Sequence, residues 1–91
     1  MMKKISIQVF GRVQGVGFRY FVQEQAVRLG INGEVRNESD GTVLIHAQAS
    51  ADAMVKFISL VEKGPSFSRV SHLVKQDLQN DIEYTDFQIT F

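Results

Sequence analysis

The chain contains no cysteine. Disulfides, thiolate metal sites and a cysteine nucleophile are therefore excluded outright. It has no net charge either, with ten basic residues set against ten acidic ones. A nucleic-acid binder that relies on a basic face shows a high isoelectric point, and this chain lacks one. No apolar run approaches the roughly 18–20 residues that a helix needs to span a bilayer. The first four residues, Met1-Met2-Lys3-Lys4, are basic, but Ser6, Gln8, Arg12 and Gln14 interrupt what would be the apolar core of a signal peptide. The expectation is a cytoplasmic protein with no nucleic-acid or membrane partner. Histidine is almost as scarce: His46 and His72 stand far apart with no third ligand at metal spacing. They read as sheet residues, with His46 on the open face.

Ninety-one residues are enough for one domain and not two. A chain of this size buries roughly 60–65% of the surface its unfolded form exposes, so it carries one core. Residues 3–10 alternate Ile5, Ile7 and Val9 with Ser6 and Gln8, as a strand with one buried face does. From Phe18 the apolar positions are Phe18, Phe21, Val22, Ala26 and Leu29, spaced by three and four as on one face of a helix. Gly30 sits where a helix-stopping glycine belongs. Residues 31–37 and 42–49 read as antiparallel strands joined by the turn residues Asn37-Glu38-Ser39-Asp40-Gly41. Ser50 is a helix N-cap, and Met54, Phe57, Ile58 and Val61 form a second helical stripe that Gly64-Pro65 ends. Residues 68–76 and 84–91 complete the pattern as strands, the last alternating through Phe87, Ile89 and Phe91.

The resulting order is strand, helix, strand, strand, helix, strand, with a short terminal strand. It predicts an α+β, ferredoxin-like βαββαβ sandwich. Its antiparallel sheet of four to five strands carries both helices on one face. No internal repeat or linker breaks the chain, so residues 1–91 read as a single domain.

The stretch Gly11-Arg12-Val13-Gln14-Gly15-Val16-Gly17-Phe18-Arg19 joins the first strand to the first helix. Its glycines let successive N–H groups turn towards one point. The helix that follows has no Ser, Thr, Asp or Asn as N-cap, so its first N–H groups lack a local side-chain partner. A free helix N-terminus attracts anions, and Arg19 in its first turn offers a planar fork of donors suited to phosphate. Taken alone, the stretch reads equally as a tight turn followed by a solvated arginine. Asn37 has the parity of Ile31 and Val35 and so faces the helix side of the sheet. Its plain reading is a turn residue that bonds its own backbone. Phe18, Tyr20 and Phe21 read as core and helix packing, and Arg12 as a loop residue that either assists electrostatically or faces solvent.

Residues 11–19 resemble the first signature of the acylphosphatase family, and Gly33-Glu34-Val35-Arg36-Asn37-Glu38-Ser39-Asp40-Gly41-Thr42-Val43 resembles the second. Two departures stand out, Glu34 where the family usually has an aromatic residue and Ala49 where it usually has glycine. Glu34 is expected on the open face, and Ala49 at the turn into the second helix. The resemblance implies a small stand-alone acylphosphatase that hydrolyses the carboxyl–phosphate anhydride of acyl phosphates to a carboxylate and inorganic phosphate. It implies that Gln14, Gly15, Val16, Gly17, Phe18 and Arg19 form the phosphate-binding loop. It further implies that Arg19 binds the phosphoryl group and Asn37 orients the attacking water, with no metal or other cofactor. A monomer acting on a small molecule is expected.

Three other readings compete. An RNA-recognition module shares the topology but needs stacking aromatics on its central strands, and residues 42–49 contain none. A phosphate-sensing module would use Arg19 and the loop equally well, but it has no need of a water-positioning amide at Asn37. Acylphosphatase-like domains also begin larger carbamoyl-transferring maturation enzymes. Here nothing follows Phe91 in the given chain, which favours the stand-alone enzyme.

Overall fold

The computed structural model describes residues 2–91; Met1, the first residue of the basic N-terminal run, lies outside them. Seven elements follow in order: β1 (Met2–Arg12), α1 (Phe18–Leu29), β2 (Asn32–Asn37), β3 (Val43–Ser50), α2 (Ala51–Lys63), β4 (Arg69–Asp77) and β5 (Phe87–Ile89). They form one sheet with strand order β4-β1-β3-β2-β5. Together with the two helices, this is the ferredoxin-like sandwich expected from the alternation of the periods.

The sheet is mixed and not antiparallel throughout. β1 pairs antiparallel with β3 and β4, and β2 antiparallel with β3, but β5 runs parallel to β2. The final strand is also shorter than residues 84–91. Phe87 is buried, whereas Phe91 is 99% exposed and takes no part in the ladder. Residues 80–84 instead lie over the open face of the sheet. Lys4 Nζ donates to Asn80 Oδ1 at 2.9 Å and to the Ile82 carbonyl at 2.6 Å, and the Tyr84 hydroxyl donates to Glu34 Oε2 at 3.3 Å. Side-chain alternation cannot distinguish a strand from a segment pinned by hydrogen bonds to another surface.

The core lies between the helices and the inner face of the sheet. Ile5, Ile7 and Val9 from β1, Val35 from β2, and Val43, Ile45 and Ala47 from β3 meet Phe18, Val22 and Ala26 of α1 and Met54, Phe57 and Val61 of α2. Each large side chain so buried contributes roughly 1.5–3 kcal/mol relative to its exposed state. Ala49 belongs to this core at 1% exposure, near the end of β3 and not in the turn. The turn into α2 is made by Ser50, whose hydroxyl accepts from the Ala53 N–H at 3.2 Å. Tyr20 is the exception in the aromatic cluster: it is 71% exposed because its position on α1 points away from the stripe of Phe18 and Val22.

Close backbone approach fixes one residue of β2. A Cβ on Gly33 would collide with the His46 carbonyl oxygen on β3, and Gly33 has φ +150°. Its N–H donates to the Asp86 carbonyl at 2.7 Å, which leads β5 into the sheet edge.

Candidate functional site

Three strand ends meet at one end of the sheet. Val9 of β1 is opposite Val43 of β3, and Val43 is opposite Asn37, the last residue of β2. β1 continues through Gly11 and Arg12, which pair with Val70 and Arg69 of β4, so these two are strand residues and the connecting loop begins at Val13. Val13 is buried and anchors the loop in the core.

Gly15 has φ +73° and Gly17 has φ +77°, left-handed conformations that bend the loop back on itself. Gly17 is the N-cap of α1 and provides no side-chain acceptor. The first turn of α1 contains no acidic residue, so the positive end of the helix is uncompensated by its own sequence. Val16 packs against the core, and Phe18 is buried at 1% exposure. The loop is thus held from below by Val13, Val16 and Phe18, while Gly15 and Gly17 are exposed.

Gln14 ties the loop sideways to the β2–β3 turn. Its Nε2 donates to the Glu38 carbonyl at 2.8 Å and to the Thr42 carbonyl at 2.9 Å. The turn is itself closed by Asp40, whose Oδ1 accepts from the Thr42 N–H at 2.9 Å and the Thr42 hydroxyl at 2.6 Å. These bonds from Thr42 stabilise the charged carboxylate and hold the Asp40 pKa below its ordinary 3.8. Of the six loop residues, Gln14 therefore uses its side chain for structure, and only its backbone faces the anion question.

Arg19 is half-buried, and its guanidinium carbon lies 5.4 Å from the centre of the Phe91 ring. Phe91 follows Thr90, whose N–H donates to the Val35 carbonyl at 2.9 Å, two residues before Asn37. That chain of contacts places Arg19 near the end of β2 that carries Asn37, although Phe91, almost fully exposed, covers little of the guanidinium. Among the described residues no carboxylate forms an ion pair with Arg19, while the neighbouring Arg36 lies 3.8 Å from Glu34 and 3.6 Å from Glu38.

Asn37 does not bond its own backbone as a turn residue would. Its Oδ1 is buried and is the one buried side-chain oxygen or nitrogen without a hydrogen-bond partner among the described residues. Leaving such an atom unpaired costs roughly 1–3 kcal/mol, which is the usual signature of a place for a bound water or ligand.

The histidines do other work. His72 stacks on Phe10 with ring centres 4.3 Å apart, and His46 sits on the open face with its Nδ1 3.4 Å from Glu34 Oε2. Glu34 is on that face too, where Thr90 Oγ1 also donates to it at 3.2 Å. Burial raises the pKa of the adjoining Tyr84 hydroxyl. No group of three or more His, Cys, Asp or Glu side chains among the described residues is placed to hold a metal ion. Beside the loop, between Gly15 and Val16 on one side and the segment 66–69 on the other, lies an open cleft of about 630 Å³. The motifs give no sign of this cleft, or of the approach of Phe91 to Arg19.

The chain is a ferredoxin-like domain in which a loop with two left-handed glycines leads into a helix without a side-chain N-cap, near the strand end that carries the unpartnered Asn37 Oδ1. It belongs to the acylphosphatase family, whose sequence profile matches residues 5–89. It is 46% identical to the acylphosphatase of Oceanobacillus iheyensis over 99% of this chain and 100% of that one. It is 47% identical to the acylphosphatase of Leuconostoc mesenteroides over 97% of this chain and 98% of that one. The crystal structure of acylphosphatase from Bacillus subtilis superimposes with a TM-score of 0.93 at 37% identity, covering 100% of both chains.

Proposed function

We propose that this acylphosphatase holds the phosphoryl group of an acyl phosphate in the backbone cradle of residues 14–19 and on Arg19, and that Asn37 positions the attacking water. The observation that carries the reading is the buried, unpartnered Oδ1 of Asn37. An acceptor so placed takes a hydrogen from water and leaves the water's lone pair free for phosphorus. Phosphoryl transfer needs in-line alignment and stabilisation of charge on the equatorial oxygens, with little covalent help from the protein. The loop N–H groups, the positive end of α1 and the Arg19 fork supply that stabilisation. Asn37 is no base at neutral pH because its amide does not titrate there. The water's proton passes to the phosphate of the substrate itself.

The carboxylate leaving group departs readily, so the reaction requires no strong general acid. The proposed reaction is metal-independent, with the charge on phosphorus met by the loop and Arg19. We further propose that residues 1–91 act as a single domain and a monomer, in the cytoplasm, without nucleic acid. No helix among the described residues is long and apolar enough to cross a membrane. The test is hydrolysis of a synthetic acyl phosphate by pure protein in excess chelator. Turnover that persists and is inhibited competitively by inorganic phosphate supports the reading. Loss of turnover in chelator, restored by a divalent ion, overturns the metal-independent mechanism.

A further inference from the structure

We propose that Arg12 and Arg69 form a subsite for the acyl part of the substrate, and that the subsite favours acyl groups carrying a second negative charge. This rests on the assignment of Asn37 to the attacking water. In-line displacement requires the leaving group to depart on the side of phosphorus opposite the water. Asn37 lies at the end of β2, and the strand order is β4-β1-β3-β2 from the far side. With the phosphoryl group in the loop that follows β1, the acyl oxygen therefore points away from β2, towards β1 and β4. The cleft between the loop and the segment 66–69 lies on that side, and Gly15 and Val16 of the cradle form one of its walls.

The chemistry of the cleft is one-sided. Arg12 and Arg69 both line it, and no acidic residue does. The two arginines are directly opposite one another in the β1–β4 ladder, just past the irregularity at Phe10 and Gly11. Side chains opposed in this way have Cβ atoms about 4.5–5.5 Å apart, and like charges there repel. Neither arginine has an ion-pair partner among the described residues. An anion between them removes the repulsion, and two guanidinium forks suit a carboxylate or a phosphate. Phe67, 81% exposed, lines the same cleft and gives the carbon skeleton of the acyl group an apolar surface. The inferred substrate class is an acyl phosphate with a carboxylate or phosphate several bonds from the anhydride.

The experiment compares two rigid substrates of equal size, 4-carboxybenzoyl phosphate and its neutral isostere 4-carbamoylbenzoyl phosphate. The wild-type protein is expected to prefer the charged substrate by roughly three- to tenfold in kcat/KM, mainly through KM, the scale of two exposed ion pairs. The preference is expected to shrink with added salt, because exposed charges are screened. In the double variant Arg12→Gln/Arg69→Gln the ratio of the two kcat/KM values falls to about one. Equal rates on the two substrates in the wild type overturn the subsite, as does a preference that survives in the variant. The salt series on the wild type decides the matter even where the double variant does not fold. Hydrolysis of neither substrate overturns the acylphosphatase reading and the subsite with it.

Discussion

The side-chain amide of Gln14 donates to the Glu38 carbonyl at 2.8 Å and so straps the loop after β1 to the turn after β2. The same nitrogen reaches the Thr42 carbonyl at 2.9 Å. Both carbonyls have a backbone partner besides: Glu38 O accepts from the Gly41 N–H at 3.2 Å and Thr42 O from the Glu38 N–H at 2.8 Å. Removing the amide therefore leaves neither acceptor empty. Gln14→Ala is expected to cost only about 1–2 kcal/mol in stability. Its larger effect falls on phosphate affinity, because the cradle loses its lateral tie to the turn beside Asn37. Urea denaturation and phosphate calorimetry on the same variant check the two effects separately. Unchanged affinity would show that the strap is not needed for the cradle.

Gly15 and Gly33 are both required, for different reasons. A Cβ on Gly15 meets nothing within 4 Å, but the residue has φ +73°. A side chain there costs about 1–2 kcal/mol in conformational strain and re-aims the loop N–H groups. Gly33 is limited by space, since its Cβ would strike the His46 carbonyl. Gly33→Ala is thus expected to lower the melting temperature far more than Gly15→Ala does. Gly15→Ala, and more so Gly15→Val, is expected to lose phosphate binding from a protein that still folds. Thermal melts with and without phosphate separate the cases. A Gly15→Val variant that binds phosphate as wild type does would contradict the cradle.

Asp40 links the hairpin to pH. Its folded pKa is depressed, first by the hydrogen bond from the Thr42 hydroxyl. The unfolded chain therefore binds the proton at higher pH than the folded one does. The stabilisation from this carboxylate is present above the unfolded pKa, near 3.8, and is lost as pH falls through the lower folded value. In Asp40→Asn that acid-linked part of the stability curve is expected to flatten. Chemical denaturation between pH 2 and pH 6, on the order of this window, measures it. Tyr84, whose pKa is raised by burial, acts at the other end, and its stabilisation is lost as pH rises above 10.0 through the folded value.

Most of the scaffold was legible in the sequence because local periods determine it. The stripe from Phe18 to Leu29 and the stop at Gly30 bound α1 as the structure does. The alternation at Val43, Ile45 and Ala47 identifies the inward face of β3. What was not legible depends on contacts between distant segments. β4 is an exposed edge strand, so Leu73 and Val74 are under no pressure to alternate strictly. The parallel pairing of β5 with β2 is set by backbone bonds at Gly33 and Thr90, which leave no pattern in the side chains. At the candidate site, the two motifs singled out Arg19 and Asn37. The use of the Gln14 side chain, the approach of Phe91 to Arg19 and the facing arginines of the cleft left no sign in the sequence, since each joins residues from separate strands or loops.

Arg19 and Asn37 are expected to separate in paired measurements. In the proposed mechanism Arg19 faces the phosphate both when it is bound and when it is being transferred. Arg19→Ala is therefore expected to weaken phosphate binding and to cut turnover by roughly 10²-fold or more, the scale of losing one preorganised donor. Arg19→Lys keeps the charge but not the planar fork, and is expected to recover only part of the loss. Phe91→Ala, which removes the ring 5.4 Å from the guanidinium, is expected to show a milder loss in the same direction. In the same proposal Asn37 touches the water and not the phosphate. Asn37→Ala is expected to lose kcat while keeping most phosphate affinity, the pattern of an interaction made mainly in the transition state. Asn37→Asp is expected to be no better in turnover, because a carboxylate repels the incoming anion. Calorimetry with phosphate, turnover on an acyl phosphate and a denaturation curve for each variant test the assignment. Near-full turnover in Asn37→Ala would mean that the water is held elsewhere, and the unpaired oxygen would then need another explanation.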